Sequence, residues 1–206
     1  MTDADDYRID ENESSGTQYY AFSVRLAPDW QPPEPDWDGL WGIVLQLHGP
    51  DSYMTSPSFC VQVLDQYYIM LHSGDLDSPE DSLQWEFYPL ANTGLNRGYW
   101  VDLVVKIKLA QDFTGSVDVW RRNEGQASFT HVLSVDDVPT LQYKSSQGGV
   151  GDHYWQHGFY RPEQDTITHV LWLDGLTRGD TFDDVVRAAF PAMIKFYLPL
   201  VLKTDW

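Results

Sequence analysis

The feature that most constrains the fold of this chain is a succession of short segments in which apolar and polar residues alternate. Alternation with a period of two is typical of β-strands with one buried face. Gly, Pro, Asn, Asp and Ser lie between the segments, and no helical pattern interrupts them before about residue 181. The sequence therefore predicts an all-β sandwich or jelly roll, with strands over residues 19–26, 42–47, 58–64, 67–72, 83–88, 100–109, 115–121, 153–160 and 168–173.

Residues 100–108 show the alternation most clearly. The apolar residues share one face of the predicted strand: Val101, Leu103, Val105 and Ile107. The polar residues share the opposite face: Asp102, Lys106 and Lys108. We therefore expect the first set to be buried and the second set to lie in solvent.

The two ends of the chain differ from this pattern of strands. Residues 1–16 are polar and acidic, which predicts a flexible leader, so the strand-rich domain is expected to span residues 17–180. Residues 181–190 contain helix formers behind a capping Thr181 and stop before Pro191, as a short helix does. The remaining tail, residues 192–206, is too apolar to be left in water. We expect it to pack on this domain, on a protein partner or on a second copy of the chain.

Composition and charge narrow the functional classes. The chain has 206 residues, the size of one domain, and 13 Lys and Arg against 31 Asp and Glu give a net charge of −18. Such a charge repels nucleic acid and anionic membrane surfaces, so neither is an expected partner. No segment approaches the roughly 20 apolar residues that cross a bilayer. Cys60 is the single cysteine, which excludes an intrachain disulfide and a cysteine-based zinc site.

Two segments carry side chains suited to chemistry. Gln46 and His48 are two residues apart at the end of a predicted strand, so both project from one face. One face of residues 154–160 carries polar and aromatic side chains and a glycine: Tyr154, Gln156, Gly158 and Tyr160. The glycine allows a ligand to approach the backbone closely. Each segment therefore presents, on one face, side chains that can act on a ligand.

These motifs resemble those of the jelly-roll polysaccharide lyases, the superfamily of alginate lyases, glucuronan lyase and heparin lyase I. The Gln-x-His element of that family is similar to residues 46–48, and its Tyr-x-Lys-x-Gly-x-Tyr element is similar to residues 154–160, with Gln156 at the lysine position. Supporting stretches follow in family order at residues 20–30, 100–106, 115–120 and 170–179. The resemblance covers residues 19–179 and implies a concanavalin-like β-sandwich jelly roll of two antiparallel sheets with one short C-terminal helix.

The resemblance also implies an activity, the cleavage of an anionic uronic-acid glycan at a 4-linked sugar by β-elimination. That chemistry requires neutralisation of the C6 carboxylate, a base for the C5 proton and an acid for O4. By analogy, Gln46 hydrogen-bonds the carboxylate, His48 is a base or neutraliser, and Tyr160 is base and acid. The implied substrate-binding residues are Tyr154, Gln156, Arg161 and Arg8.

A second function is compatible with the same fold, namely a non-catalytic jelly roll that binds carbohydrate or serves in assembly, as in adhesion or on a virion surface. Neither function calls for a cofactor or a metal ion, and we expect none. Both imply an extracellular or virion-associated protein. Met1 to Asp6 are nevertheless acidic, where a secretion signal is basic and then apolar. Removal of the signal, export by another route and retention at the source each account for this.

Overall fold

The computed structural model describes residues 16–34, 41–49, 56–78, 84–90, 94–148, 151–163 and 165–190, and the backbone of Leu200–Val201. These parts of the chain form twelve strands, one α-helix and a single 3-10 turn at Ser145–Gln147. In chain order the elements are β1 (Thr17–Leu26), β2 (Ile43–His48), β3 (Phe59–Val63), β4 (Tyr67–Asp75), β5 (Gln84–Pro89), β6 (Trp100–Lys108), β7 (Gly115–Asn123), β8 (Thr130–Val138), β9 (Gln142–Tyr143), β10 (Tyr154–Tyr160), β11 (Val170–Gly179), α1 (Phe182–Ala189) and β12 (Leu200–Val201).

The strands form two sheets with one apolar core between them. Sheet A has the order β12-β11-β1-β6-β7-β8, and sheet B has the order β10-β2-β3-β4-β5. Neighbours within each order are antiparallel, while the short β9 runs parallel to β4. Side chains from both sheets meet in the core, where Tyr20 of sheet A and Trp155 of sheet B have ring centroids 4.0 Å apart. The expected β-sandwich jelly roll of two antiparallel sheets with one short helix is confirmed.

Strand β6 confirms half of the prediction for residues 100–108. Its apolar face is fully buried in the core. The opposite face is not in solvent throughout, because Asp102 is 7% exposed. The hydroxyl of Ser23 donates to Asp102 at 2.6 Å, and the guanidinium of Arg122 pairs with the same carboxylate at 2.6 Å. These partners replace the water that a carboxylate otherwise needs.

Helix α1 covers part of the outer face of sheet A. It begins after Thr181, whose hydroxyl accepts a hydrogen bond from the amide of Asp184 at 3.2 Å, as an N-cap does. Two acidic residues in its first turn interact favourably with the positive end of the helix dipole. Its apolar side packs on the sheet through four small or branched residues: Ala21, Val104, Val185 and Ala189. The helix thus lies on the outer face of sheet A and not on the outer face of sheet B.

Four strands differ from the sequence prediction, among them the two-residue β9 and β12, which were not predicted. Strand β8 was not predicted, because it lies at the edge of sheet A, where its partly exposed side chains give no clean alternation. Strand β11 does not end at Leu173 but continues to Gly179. Gly175, a turn signal in the sequence, instead lies in a bulge, where the pairing of β1 with β11 shifts register between Ala21 and Ser23.

The predicted ends of the domain fall largely outside the described residues. The leader lies there as far as residue 15, and so does most of the apolar tail. Within the tail, the backbone of Leu200–Val201 pairs with Val170 and Leu171 of β11. The division into a leader, a domain over residues 17–180 and a tail stays a prediction. No helix in the described part of the chain is long and apolar enough to cross a membrane.

The contact between the β11 bulge and the end of α1 generates a stability prediction. Gly175 has φ of 74°, and a Cβ atom there would lie 2.9 Å from the carbonyl oxygen of Ala189. We expect Gly175→Ala to lower the free energy of unfolding by roughly 2–3 kcal/mol, since left-handed strain of about 1 kcal/mol adds to this clash. Gly125 is the matched control, with φ of 84° and open space around its Cβ position.

Gly125→Ala should lower the free energy of unfolding by only about 1 kcal/mol, because it introduces the backbone strain without the clash. Urea unfolding of both variants measures the two losses. Equal losses would contradict a contact between the bulge and the helix.

Candidate functional site

The two segments singled out in the sequence are neighbouring strands of sheet B. Strand β10 pairs with β2 so that Tyr154 lies opposite His48 and Gln156 lies opposite Gln46. Directly opposite residues of an antiparallel pair project from the same face. The pairing therefore brings four of the predicted site residues together on the outer face of sheet B.

A bulge in β2 sets which side chains point outward. The pairing of β2 with β3 shifts register between Ile43 and Leu45, and both Val44 and Leu45 point into the core. The next residue, Gln46, consequently faces outward, although it is only 5% exposed. Its amide Nε2 donates a hydrogen bond to Oε1 of Gln156. These two residues form a cross-strand amide pair, and the name is kept below.

His48 is held in one tautomer. Its Nδ1 lies 2.8 Å from the carbonyl oxygen of Gly49. Because a carbonyl oxygen only accepts hydrogen bonds, Nδ1 carries the proton, and Nε2 of the neutral ring has a free lone pair. The ring stacks on Tyr154, with centroids 5.3 Å apart and planes inclined by 27°. The imidazole is thus oriented from two sides while remaining partly exposed.

Tyr160 lies against the backbone at Gly158. Residues 155, 157 and 159 of β10 point inward in regular alternation, so Tyr160 points outward. A Cβ atom built on Gly158 would lie 3.4 Å from Cε2 and 3.7 Å from the hydroxyl oxygen of Tyr160. The far end of the ring therefore lies across the glycine, two residues from Gln156. Along the strands, the imidazole of His48 lies on one side of the amide pair and the phenol of Tyr160 lies on the other. The Cα atoms of Gln46 and His48 are about 6.6 Å apart.

The floor beside the phenol contains two sulfur atoms and is apolar apart from Gln62, whose amide Nε2 donates to both sulfur atoms. Ile43, Cys60 and Met70 form a buried cluster, against which Trp41 and Tyr160 pack. Burial raises the pKa of the Cys60 thiol to about 12, so this thiol is neutral and is no nucleophile. Sequence analysis missed these residues. Their signal is the alternation of residues 59–63, which places Cys60 and Gln62 on the face opposite the core.

Arg161 is engaged by Asp165. Its Nη1 lies 3.3 Å from Oδ2 of Asp165 and donates to the backbone carbonyl of the same residue at 2.5 Å. The Asp165 carboxylate is fully buried and also contacts Nε2 of His169 at 2.5 Å. Arg161, predicted to bind substrate, is therefore held by a buried carboxylate in this structure. Arg8 lies outside the described residues, so its role in substrate binding stays a prediction.

Among the residues that the structure describes, no three His, Cys, Asp or Glu are grouped so that they could hold a metal ion. The chemistry available at the site is that of amides, an imidazole and phenols. These groups accept, donate and relay protons.

Comparison with known proteins bears on the family. A model of the polysaccharide lyase family matches residues 4–177, which is most of the chain. The chain belongs to the polysaccharide lyase family. No curated protein matches it.

Solved structures share the fold. The endo-β-1,4-glucuronan lyase of the fungus Trichoderma reesei is similar with a TM-score of 0.64 and 22% identity, over 82% of this chain and 71% of that chain. A mutant of the alginate lyase Aly36B in complex with an alginate trisaccharide is similar with a TM-score of 0.50 and 13% identity, over 82% of this chain and 72% of that one. At these identities the two similarities establish a common lyase fold.

The inward side of β10 generates a prediction of pH-dependent stability. His157 packs edge-on against Phe22, with centroids 5.3 Å apart, and its Nε2 has no hydrogen-bond partner. Loss of hydration lowers the pKa of His157 from 6.5 to about 4. The unfolded chain thus binds more protons than the folded chain between these two values, and stability is lost as the pH falls through this window. We expect a loss of roughly 2–3 kcal/mol from this group between pH 6.5 and pH 4.

The variant His157→Leu should remove that share of the loss, because leucine has no proton to gain. Urea unfolding at pH 7 and at pH 4.5 measures it. His131→Asn is the control, since the His131 side chain is 45% exposed at the surface. An unchanged pH dependence in His157→Leu would contradict the prediction.

Proposed function

We propose that this protein cleaves a 4-linked uronic-acid polysaccharide by β-elimination. The observation that carries the proposal is the cross-strand amide pair, flanked by an imidazole with a free Nε2 lone pair and by a phenol lying across a glycine. Membership of the polysaccharide lyase family supports the reaction class. The similar structures are named as lyases of glucuronan and alginate, and both names indicate a uronic-acid polymer as the substrate class here.

Each group has a role that follows from its chemistry. The amides of Gln46 and Gln156 hydrogen-bond the C6 carboxyl group of the sugar, which makes the proton on C5 more acidic. His48 accepts that proton at Nε2. The electron pair of the C5–H bond forms the C4–C5 double bond as the C4–O4 bond breaks. The phenol of Tyr160 donates its proton to O4, and solvent returns the two side chains to their starting states.

The aromatic groups beside the pair complete the proposed groove. Tyr154 keeps the imidazole in place through their stacked rings. Trp41 and Tyr160 offer flat apolar faces of the kind that contacts sugar rings. A glycan polymer is the proposed partner, and its place outside cells makes an extracellular site of action part of this proposal.

Removal of either proton-transfer group tests the mechanism. We expect Tyr160→Phe and His48→Ala each to lower the rate of product formation by about 10²- to 10⁴-fold, the usual contribution of a positioned acid or base. The product contains a C4–C5 double bond conjugated to the carboxyl group, so its absorbance at about 235 nm measures the reaction. Alginate, glucuronan and heparin are the panel of substrates.

Tyr99→Phe and His131→Asn are matched controls, because Tyr99 is 60% exposed and His131 lies on sheet A. Both should retain the wild-type rate. Folded protein that binds a glycan of the panel without forming product would instead support the non-catalytic carbohydrate-binding function. Folded protein that neither binds nor cleaves any of these polymers, as free acids or as methyl esters, would overturn both.

The contact between Gly158 and Tyr160 allows a graded test of the position of the phenol. An alanine methyl group fits at ordinary contact distance from the ring, since its nearest ring atom is at 3.4 Å. Gly158→Val adds two further methyl positions and should displace the ring. We expect Gly158→Ala to keep kcat within about threefold and Gly158→Val to lower it by about 10²-fold, with a smaller change in KM. Equal activity of the two variants would show that the phenol acts from elsewhere.

A further inference from the structure

The two sheets differ sharply in their positive charge. Sheet A has six Lys and Arg in its strands: Arg25, Lys106, Lys108, Arg121, Arg122 and Arg178. The strands of sheet B, β2 to β5 with β9 and β10, contain no Lys or Arg at all, while they contain Asp75 and Glu86. Two cations directly follow these strands in the sequence: Arg161 is paired with the buried carboxylate of Asp165, and Lys144 interacts with Asp77. The sheet that carries the amide pair is therefore neutral to acidic.

This neutrality conflicts with tight binding of a free carboxylate. A carboxylate that enters a partly buried site loses hydration, and that loss is offset only by a cation or by several strong hydrogen bonds. One N–H donor of the amide pair is already used within the pair, because Nε2 of Gln46 donates to Gln156. The net charge of −18 adds a long-range repulsion against a polyanion.

An esterified carboxyl group removes the conflict. It is uncharged, it still withdraws electrons from C5, and its carbonyl oxygen needs only neutral donors of the kind that amides supply. Its alkyl group is apolar, which suits the partly exposed rings of Trp41 and Tyr160. The same elimination then needs no cation from the described strands of sheet B.

We propose that the site selects uronic-acid residues whose C6 carboxyl group is esterified, and that Gln156 determines this selectivity. The inference rests on the proposed lyase function. The step is balanced as before: the C5 proton goes to His48, the C4–C5 double bond forms, the C4–O4 bond breaks, and O4 takes a proton from Tyr160. The ester itself stays intact, and the product is an unsaturated uronate ester.

Matched pairs of polymers test the proposal. Alginate, glucuronan and 4-linked galacturonan are each assayed as the free acid and as the methyl ester, at equal sugar concentration and at several salt concentrations. We expect kcat/KM for at least one ester to exceed that for its free acid by about tenfold or more, the size of effect that one uncompensated charge produces. High salt should narrow the difference only in part, because screening acts mainly on the long-range repulsion.

Gln156→Lys places a cation opposite Gln46 and should move the preference toward the free acid by about tenfold. Gln111→Lys is the matched control, because it adds the same charge in an exposed loop between β6 and β7 and should leave the preference unchanged. Thermal unfolding of both variants checks that they fold.

The outcomes separate the two proposals. Wild-type cleavage of free acids at a rate equal to or above that of the esters overturns the selectivity and leaves the lyase function standing, whatever the variants do. Absence of cleavage of every acid and every ester by folded protein overturns the lyase function, and the selectivity with it. An ester preference that Gln156→Lys and Gln111→Lys change equally overturns the role of Gln156.

Discussion

The register between β2 and β10 is the constraint on which the candidate site depends. The two strands are more than 100 residues apart in the sequence, and the cross-strand pair Gln46–Gln156 is what joins their chemistry. A slip of one residue would turn the outward side chains into the core and the core side chains outward. The large inward residues oppose that slip, since Trp155 packs between Tyr20 and Phe59 in the core. The apolar packing on one face thus fixes the position of the polar groups on the other.

The outer faces of the two sheets differ in what covers them and in the side chains that they carry. Sheet A is covered in part by α1 and holds its charges in local pairs, such as Lys106 with Asp118 at 2.9 Å. Sheet B carries amides, aromatic rings and sulfur atoms on its outer face. The partial cover of sheet A leaves the outer face of sheet B as the larger surface for a ligand. The concentration of proton-transfer groups on sheet B follows the same division.

Much of the fold could be predicted from the sequence, because local alternation carries the information. Residues 100–108 gave β6 with its buried face, and Thr181 with Pro191 bounded the helix. Strand β8 escaped prediction because an edge strand need not alternate. The continuation of β11 escaped because a bulge glycine and a turn glycine look alike in a sequence, and the difference at Gly175 depends on the partner strand.

The candidate site was predictable only in part for a related reason. The shared face of Gln46 and His48 is a local property, whereas the contact with Tyr154 and Gln156 depends on long-range pairing. The family resemblance implied that these residues act on one substrate, but not how their strands pair. The engagement of Arg161 by Asp165 depends on a loop conformation that no spacing rule encodes.

The single thiol of the chain offers a view of motions at this site. Cys60 is directly opposite Gln46 in the β2–β3 pair and is completely inaccessible in the closed sheet. Alkylating reagents can reach it only while the sheet is transiently open, so the labelling rate reports the free energy of that opening. A saccharide that binds across β2 and β10 and holds them together would slow the labelling. The thiol is thus a native reporter of occupancy, and it needs no engineered probe.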